Sequence, residues 1–145
     1  MPDALACSLA DIKEAVRSFE SCRYTPQEFT HTRHLIVAAW YLTIFSPEDA
    51  LCRMRTQLQR FTAHHDVKGY HETITRFWMV LAYQHLQSCP SRSLVEQVNT
   101  LLDIYPAKDV LFAYYSRDRV LSDEARVNWL APDLCDLGHS SLTAN

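Results

Sequence analysis

Glycine is nearly missing from this chain, and that limits what the backbone can do. Only Gly69 and Gly138, of 145 residues, lack a side chain. Hairpin turns draw on residues that tolerate positive φ, glycine above all, so a domain of many short strands is poorly supplied here. Helices joined by capped turns need fewer such residues. The expected fold class is all-α: a single-domain bundle of about five main helices with short helices toward the C-terminus. A length of 145 residues suits one domain, 1–145, with an ordinary core, and the ends 1–7 and 134–145 read as loosely attached. Hydrophobic residues at 48% and charged residues at 21% exclude a disordered or fibrous class.

Helix openings can be read directly. Ser8 with Asp11 forms a capping pattern, and Leu9, Ile12, Ala15, Val16 and Phe19 follow at spacings of three and four, so a first helix runs to about Ser21. Thr25-Pro26-Gln27-Glu28 is a second opening; the pattern leaves open whether it continues into Thr30–Phe45 or breaks near Phe29. Ser46-Pro47-Glu48-Asp49 repeats the formula and starts a third helix, with Ala50, Leu51, Met54, Leu58 and Phe61 on one face. A turn through His64–Gly69, with Gly69 as hinge, leads to a fourth helix from about Tyr70 to Gln87. Cys89-Pro90-Ser91 stops it, and Ser91 is placed to cap a fifth over Arg92–Leu102. Short helices are expected within Lys108–Tyr115 and from Ser122 to before Pro132.

Polar residues crowd two of these openings. Phe29-Thr30-His31-Thr32-Arg33-His34-Leu35 and Gly69-Tyr70-His71-Glu72-Thr73-Ile74-Thr75-Arg76 each bring histidine to the mouth of an apolar helix. His31 and His34, three apart, lean toward one helical face, a workable spacing for two ligands of one metal if a third comes from elsewhere. His71 is the preferred third, ahead of His64 and His65 in the turn. His71 and Glu72 diverge by about 100° on a regular helix, so both cannot point straight at one ion. Glu72 is then a fourth ligand or a general base. Thr75 and Arg76 are candidates for substrate contact, Arg76 through its fork of donors. An ion pair with Glu72 four residues earlier is the commoner role for Arg76. Tyr114 and Tyr115, ahead of two arginines, are placed to close over a pocket, Tyr114 as a substrate contact and Tyr115 as a catalytic phenol. Each of these residues also has a plain structural role: histidines near helix ends cap, threonines bond back to the preceding turn, and tyrosines plug bundle ends.

Those blocks resemble a family of small, mostly uncharacterised bacterial proteins sharing F-x-H-x-x-H-L, Y-H-E-T-I-T and Y-Y-S motifs, with S-x-E-A-R and P-D after them. The matching residues here are Phe29–Leu35, Tyr70–Trp78, Tyr114–Ser116, Ser122–Arg126 and Pro132-Asp133. The resemblance marks His31, His34, His71 and Glu72 as family features, with His64 and His65 less typical. It brings no activity with it.

Three functions follow as expectations. The first is a metal-dependent enzyme acting on a small organic molecule, with zinc, iron, nickel or copper held by His31, His34 and His71. The second keeps the same cluster without metal, for acid–base chemistry. The third is a non-catalytic module that binds a small ligand or a partner. A net charge of −3 lends nothing to nucleic-acid binding. Apolar runs are too short to span a membrane, and no basic-then-apolar leader opens the chain. Five cysteines without a C-x-x-C pair fit free thiols in a reducing cytoplasm. A homodimer through a helix face stays open, although no face is plainly left over.

Overall fold

The computed structural model describes residues 7–143 and is built from helices packed around a central pair. These are α1 (Leu9–Glu20), α2 (His31–Ile44), α3 (Pro47–His64), α4 (Glu72–Ser88) and α5 (Leu94–Ile104). A 3₁₀ turn (Lys108–Val110) and three short helices follow: α6 (Leu111–Tyr114), α7 (Arg117–Val120) and α8 (Asp123–Val127). The described residues contain no strand. No helix among them is long and apolar enough to cross a membrane. All five cysteines are unpaired.

The hub is α2, which packs against α1, α3, α4 and α5. It holds Ile36, Val37, Thr43 and Ile44, β-branched residues that are mediocre helix formers. Burial decides the matter. Leu35, Val37, Ala38 and Ala39 are wholly buried, and each large apolar side chain removed from water contributes about 1.5–3 kcal/mol against tenths lost to propensity. A helix apolar all round belongs inside a bundle. The second central helix, α4, buries Phe77, Trp78, Met79, Val80, Leu81 and Ala82 in succession.

The capping chemistry sets most boundaries. Ser8 and Asp11 close a full capping box on α1, and Ser46 with Pro47 opens α3 as its pattern predicts. Thr25 and Glu28 also form their reciprocal bonds, at 2.9 and 3.1 Å, but the turn breaks after Phe29. Phe29 stacks face to face on Phe19 at 4.4 Å, and Thr30 takes extended geometry as a new cap. That break makes His31 the first residue of α2. The start of α5 lies two residues later than the proposed Arg92, because Ser93 and Glu96 form a reciprocal box that Ser91 has no counterpart to match. Gly69 is not the hinge expected of it. Its backbone does not enter the positive-φ region; Asp66 does so at the end of α3, with φ 52°.

The C-terminal segment is not loose over 134–143. Leu137 and Leu142 are buried, and the side chains of Gln84 and Arg76 on α4 donate to their carbonyls. Cys7, too, is buried and held through its backbone by Asn99. Residues 1–6 and 144–145 lie outside the described residues.

Candidate functional site

The Thr30 break and the start of α4 bring two histidine-bearing helix openings side by side. Between them lies a cavity of about 460 Å³, walled on one side by Thr30, His31 and His34 of the α2 opening and on another by His71, Ile74, Thr75 and Trp78. Leu58 and Thr62 of α3 and the segment carrying Lys108, Leu111 and Phe112 close the remaining sides. The volume falls in the range of about 300–1,000 Å³ common for small-molecule sites. The walls are chiefly apolar and aromatic, with polar groups concentrated at the two helix openings.

His71 is committed to the fold. It is the N-cap of α4: its Nδ1 accepts the Ile74 N–H at 3.1 Å, and its Nε2–H donates to the Val120 carbonyl at 2.7 Å. Both ring nitrogens are used, and together they fix the neutral Nε2–H tautomer. Burial also pushes its pKa below the ordinary histidine value. His71 has no lone pair to give an ion while it caps, so the expected three-histidine ligand set is not assembled here. Among the described residues no three His, Cys, Asp or Glu side chains converge to hold a metal.

His31 and His34 differ from it and from each other. His31 Nε2–H donates to the Tyr105 carbonyl at 3.0 Å, and its ring meets the edge of Trp78 at 4.6 Å. Burial lowers its pKa, and nearby Lys108 adds to the effect. His34 packs against Phe29, and its Nε2 is shielded from solvent with no hydrogen-bond partner among the described residues. Burial holds its pKa at about 4, helped by His31, so the imidazole is neutral at pH 7. A shielded nitrogen left unpaired costs about 1–3 kcal/mol. His65 Nε2 and Trp129 Nε1 are also shielded and unpartnered, but neither residue lines this cavity.

Glu72 faces the other way. Arg55 grips it with two bonds, Nε–H to Oε1 at 2.8 Å and Nη2–H to Oε2 at 2.7 Å, and the Tyr70 hydroxyl donates to Oε1 as well. Burial pushes the carboxyl up, but these bonds and the Arg55 charge outweigh it and keep the pKa below the usual range. Glu72 therefore lines a separate, more open groove with Arg55, Gln59, Arg126 and Trp129. Its ion partner is Arg55, where the i+4 spacing points to Arg76. Arg76 instead lies over the Trp129 ring and donates to the Leu142 carbonyl.

The tyrosines are not lids. Tyr115 is wholly buried, packs on Phe77 and donates to the Leu130 carbonyl. Tyr114 meets the Phe77 edge and also stays out of the cavity. Thr75 alone of the proposed substrate contacts lines the cavity, buried, with no hydrogen bond to its hydroxyl among the described residues. Thr73, one face over, serves the fold: its hydroxyl donates to the Asn128 carbonyl at 2.7 Å and accepts the Leu130 N–H at 3.1 Å. Sequence reasoning passed over Lys108, Leu58, Thr62 and Phe112 as wall residues, because they come from α3 and an irregular segment that no periodicity directs to a site.

Among family models, curated proteins and solved structures, none matches this chain.

Proposed function

We propose that this protein binds a small organic molecule in the cavity between the openings of α2 and α4, with His34 and Thr75 as its polar contacts. The observation that carries the reading is a cavity walled by both helix openings, with His34 among its lining residues and the His34 Nε2 left without a partner among the described residues. Buried polar atoms nearly always find a partner, and one left open beside a cavity is completed by water or by a bound molecule. The two orientations of the imidazole exchange Nε2 with Cε1, so a half-turn of the ring offers the nitrogen a second position at the same wall.

Binding is favoured over proton transfer for a physical reason. A general base works best with a pKa near the operating pH, whereas burial holds His34 at about 4. The metal-dependent reading keeps the same cavity and needs His71 to give up the bond from Ile74 N–H, and the bond to Val120 as well if Nε2 is the ligand atom.

A thermal-shift screen of small aromatic and aliphatic compounds tests the proposal, run beside a Leu58→Trp variant that fills the cavity. Compounds that raise the melting temperature of the native protein and not of the folded variant support it. Stabilisation reaches about 2.7 kcal/mol at a ligand concentration of 100 Kd. Equal shifts in both proteins would remove the cavity as the site. Elemental analysis of protein purified without chelators tests the metal reading: a stoichiometric transition metal, lost in a folded His31→Ala/His34→Ala variant, would restore it.

A further inference from the structure

Charge is distributed around this cavity in a way its apolar walls do not require. The chain has more acidic than basic residues, 17 against 14, yet among the described residues no aspartate or glutamate lines the cavity. The carboxylates adjacent in sequence to wall residues stay out of it: Glu28 and Asp109 are exposed, and Glu72 turns into the neighbouring groove, where Arg55 neutralises it. The ionisable groups that do line the cavity are three histidines, Tyr70 and Lys108. Lys108 has no carboxylate partner among the described residues, and its charge is felt at His31. The first turns of α2 and α4, helices of 14 and 17 residues, both contribute to the wall, so the positive ends of two helix dipoles lie on this side of the bundle. Those features all favour negative charge in the ligand. The remaining wall includes the partly exposed rings of Phe29 and Phe112, with Trp78 almost wholly buried, and favours a flat apolar body.

Resting on the cavity reading above, we infer that the ligand is a small aromatic monocarboxylate, its ring against Phe29 and Phe112 and its carboxylate toward Lys108 and the helix openings. One negative charge matches the single lysine. A dianion would leave a charge without a partner in an apolar cavity, which is costly. A cation would meet Lys108 and both dipole ends with no acid to receive it.

Matched acid and amide pairs separate charge from shape. Phenylacetate with phenylacetamide, and indole-3-acetate with indole-3-acetamide, are titrated calorimetrically into the native protein, the exposed-site variant Lys108→Gln and the cavity-filled Leu58→Trp. The expected result is at least tenfold tighter binding of each acid than its amide, with that ratio reduced several-fold in Lys108→Gln and by added salt. Equal or tighter binding of the amides, blocked by Leu58→Trp, overturns the carboxylate inference and leaves the cavity reading standing. An acid preference unchanged in Lys108→Gln also overturns it. If none of the four compounds binds, or all bind Leu58→Trp as well as the native protein, the cavity reading falls and the inference with it.

Discussion

On one side of the α4 opening, Glu72, Arg55 and Tyr70 close on one another; on the other, His31 and His34 face a cavity across from His71. The residues are of similar kind, and His71 and Glu72 are neighbours in the chain. On the Glu72 side both carboxylate oxygens are taken. On the cavity side the valences of His71 are taken and one of His34 is not. Polar groups on an apolar helix thus divide by satisfaction. A saturated cluster is part of the fold, and an unsaturated one beside a void is open to a further partner.

The largest effect is expected where saturation is complete. Glu72→Ala leaves Arg55 without its counter-charge and removes three hydrogen bonds, and should cost up to about 3 kcal/mol in urea unfolding, since the carboxylate is largely buried although Arg55 is 35% exposed. A loss under about 0.5 kcal/mol would show the pair to be ornamental and reopen Glu72 to a chemical role.

Acid should expose the cavity side. Burial holds His34 at about 4 in the folded chain against an ordinary value of 6.5. Between those values the unfolded chain takes up a proton that the native imidazole does not. Stability is then complete above pH 6.5 and declines as the pH drops toward 4, by up to about 3 kcal/mol. His31 and His71, also lowered by burial, act with the same sign, and the depressed Glu72 carboxyl enters only at lower pH. Urea titrations at several pH values measure the slope, and His34→Leu should remove much of it.

His71→Ala removes the α4 cap and the bond to Val120, for about 2 kcal/mol, and His71→Asn should recover part of that by capping. A stability unchanged in both variants would free His71 from its structural role. The smallest effect is expected at His34. His34→Leu deletes an unpaired polar atom and should change stability at neutral pH by no more than about 1 kcal/mol, in the stabilising direction. A large loss there would mean the nitrogen has a partner and erase the contrast between the two sides.

How much of this was legible in the sequence depends on range. Local chemistry announced itself: Ser8 with Asp11, and Ser46 with Pro47, open helices where their patterns say. Ser93 with Glu96 forms an equally local pattern and, unlike Ser91, it is the one that caps α5. Histidine stands at two helix mouths, and both mouths line one cavity because α2 and α4 pack side by side. The use of each residue was not legible. Whether His71 caps or ligates turns on Val120, 49 residues away, and Glu72 finds Arg55 on another helix rather than Arg76 on its own. The polar C-terminal tail gave no periodic sign that Leu137 and Leu142 anchor it to α4.

The most direct test of the contrast is the protonation of two rings. Long-range ¹H–¹⁵N correlation spectra of the histidine side chains, assigned with His34→Gln and His71→Gln and recorded from pH 8 to pH 4, report tautomer and titration together. The account predicts that His71 keeps the Nε2–H tautomer and titrates below its ordinary range, and that His34 remains neutral until about pH 4. A His34 that titrates near 6.5 would be a hydrated surface ring, and the unpaired nitrogen on which the ligand site rests would not exist.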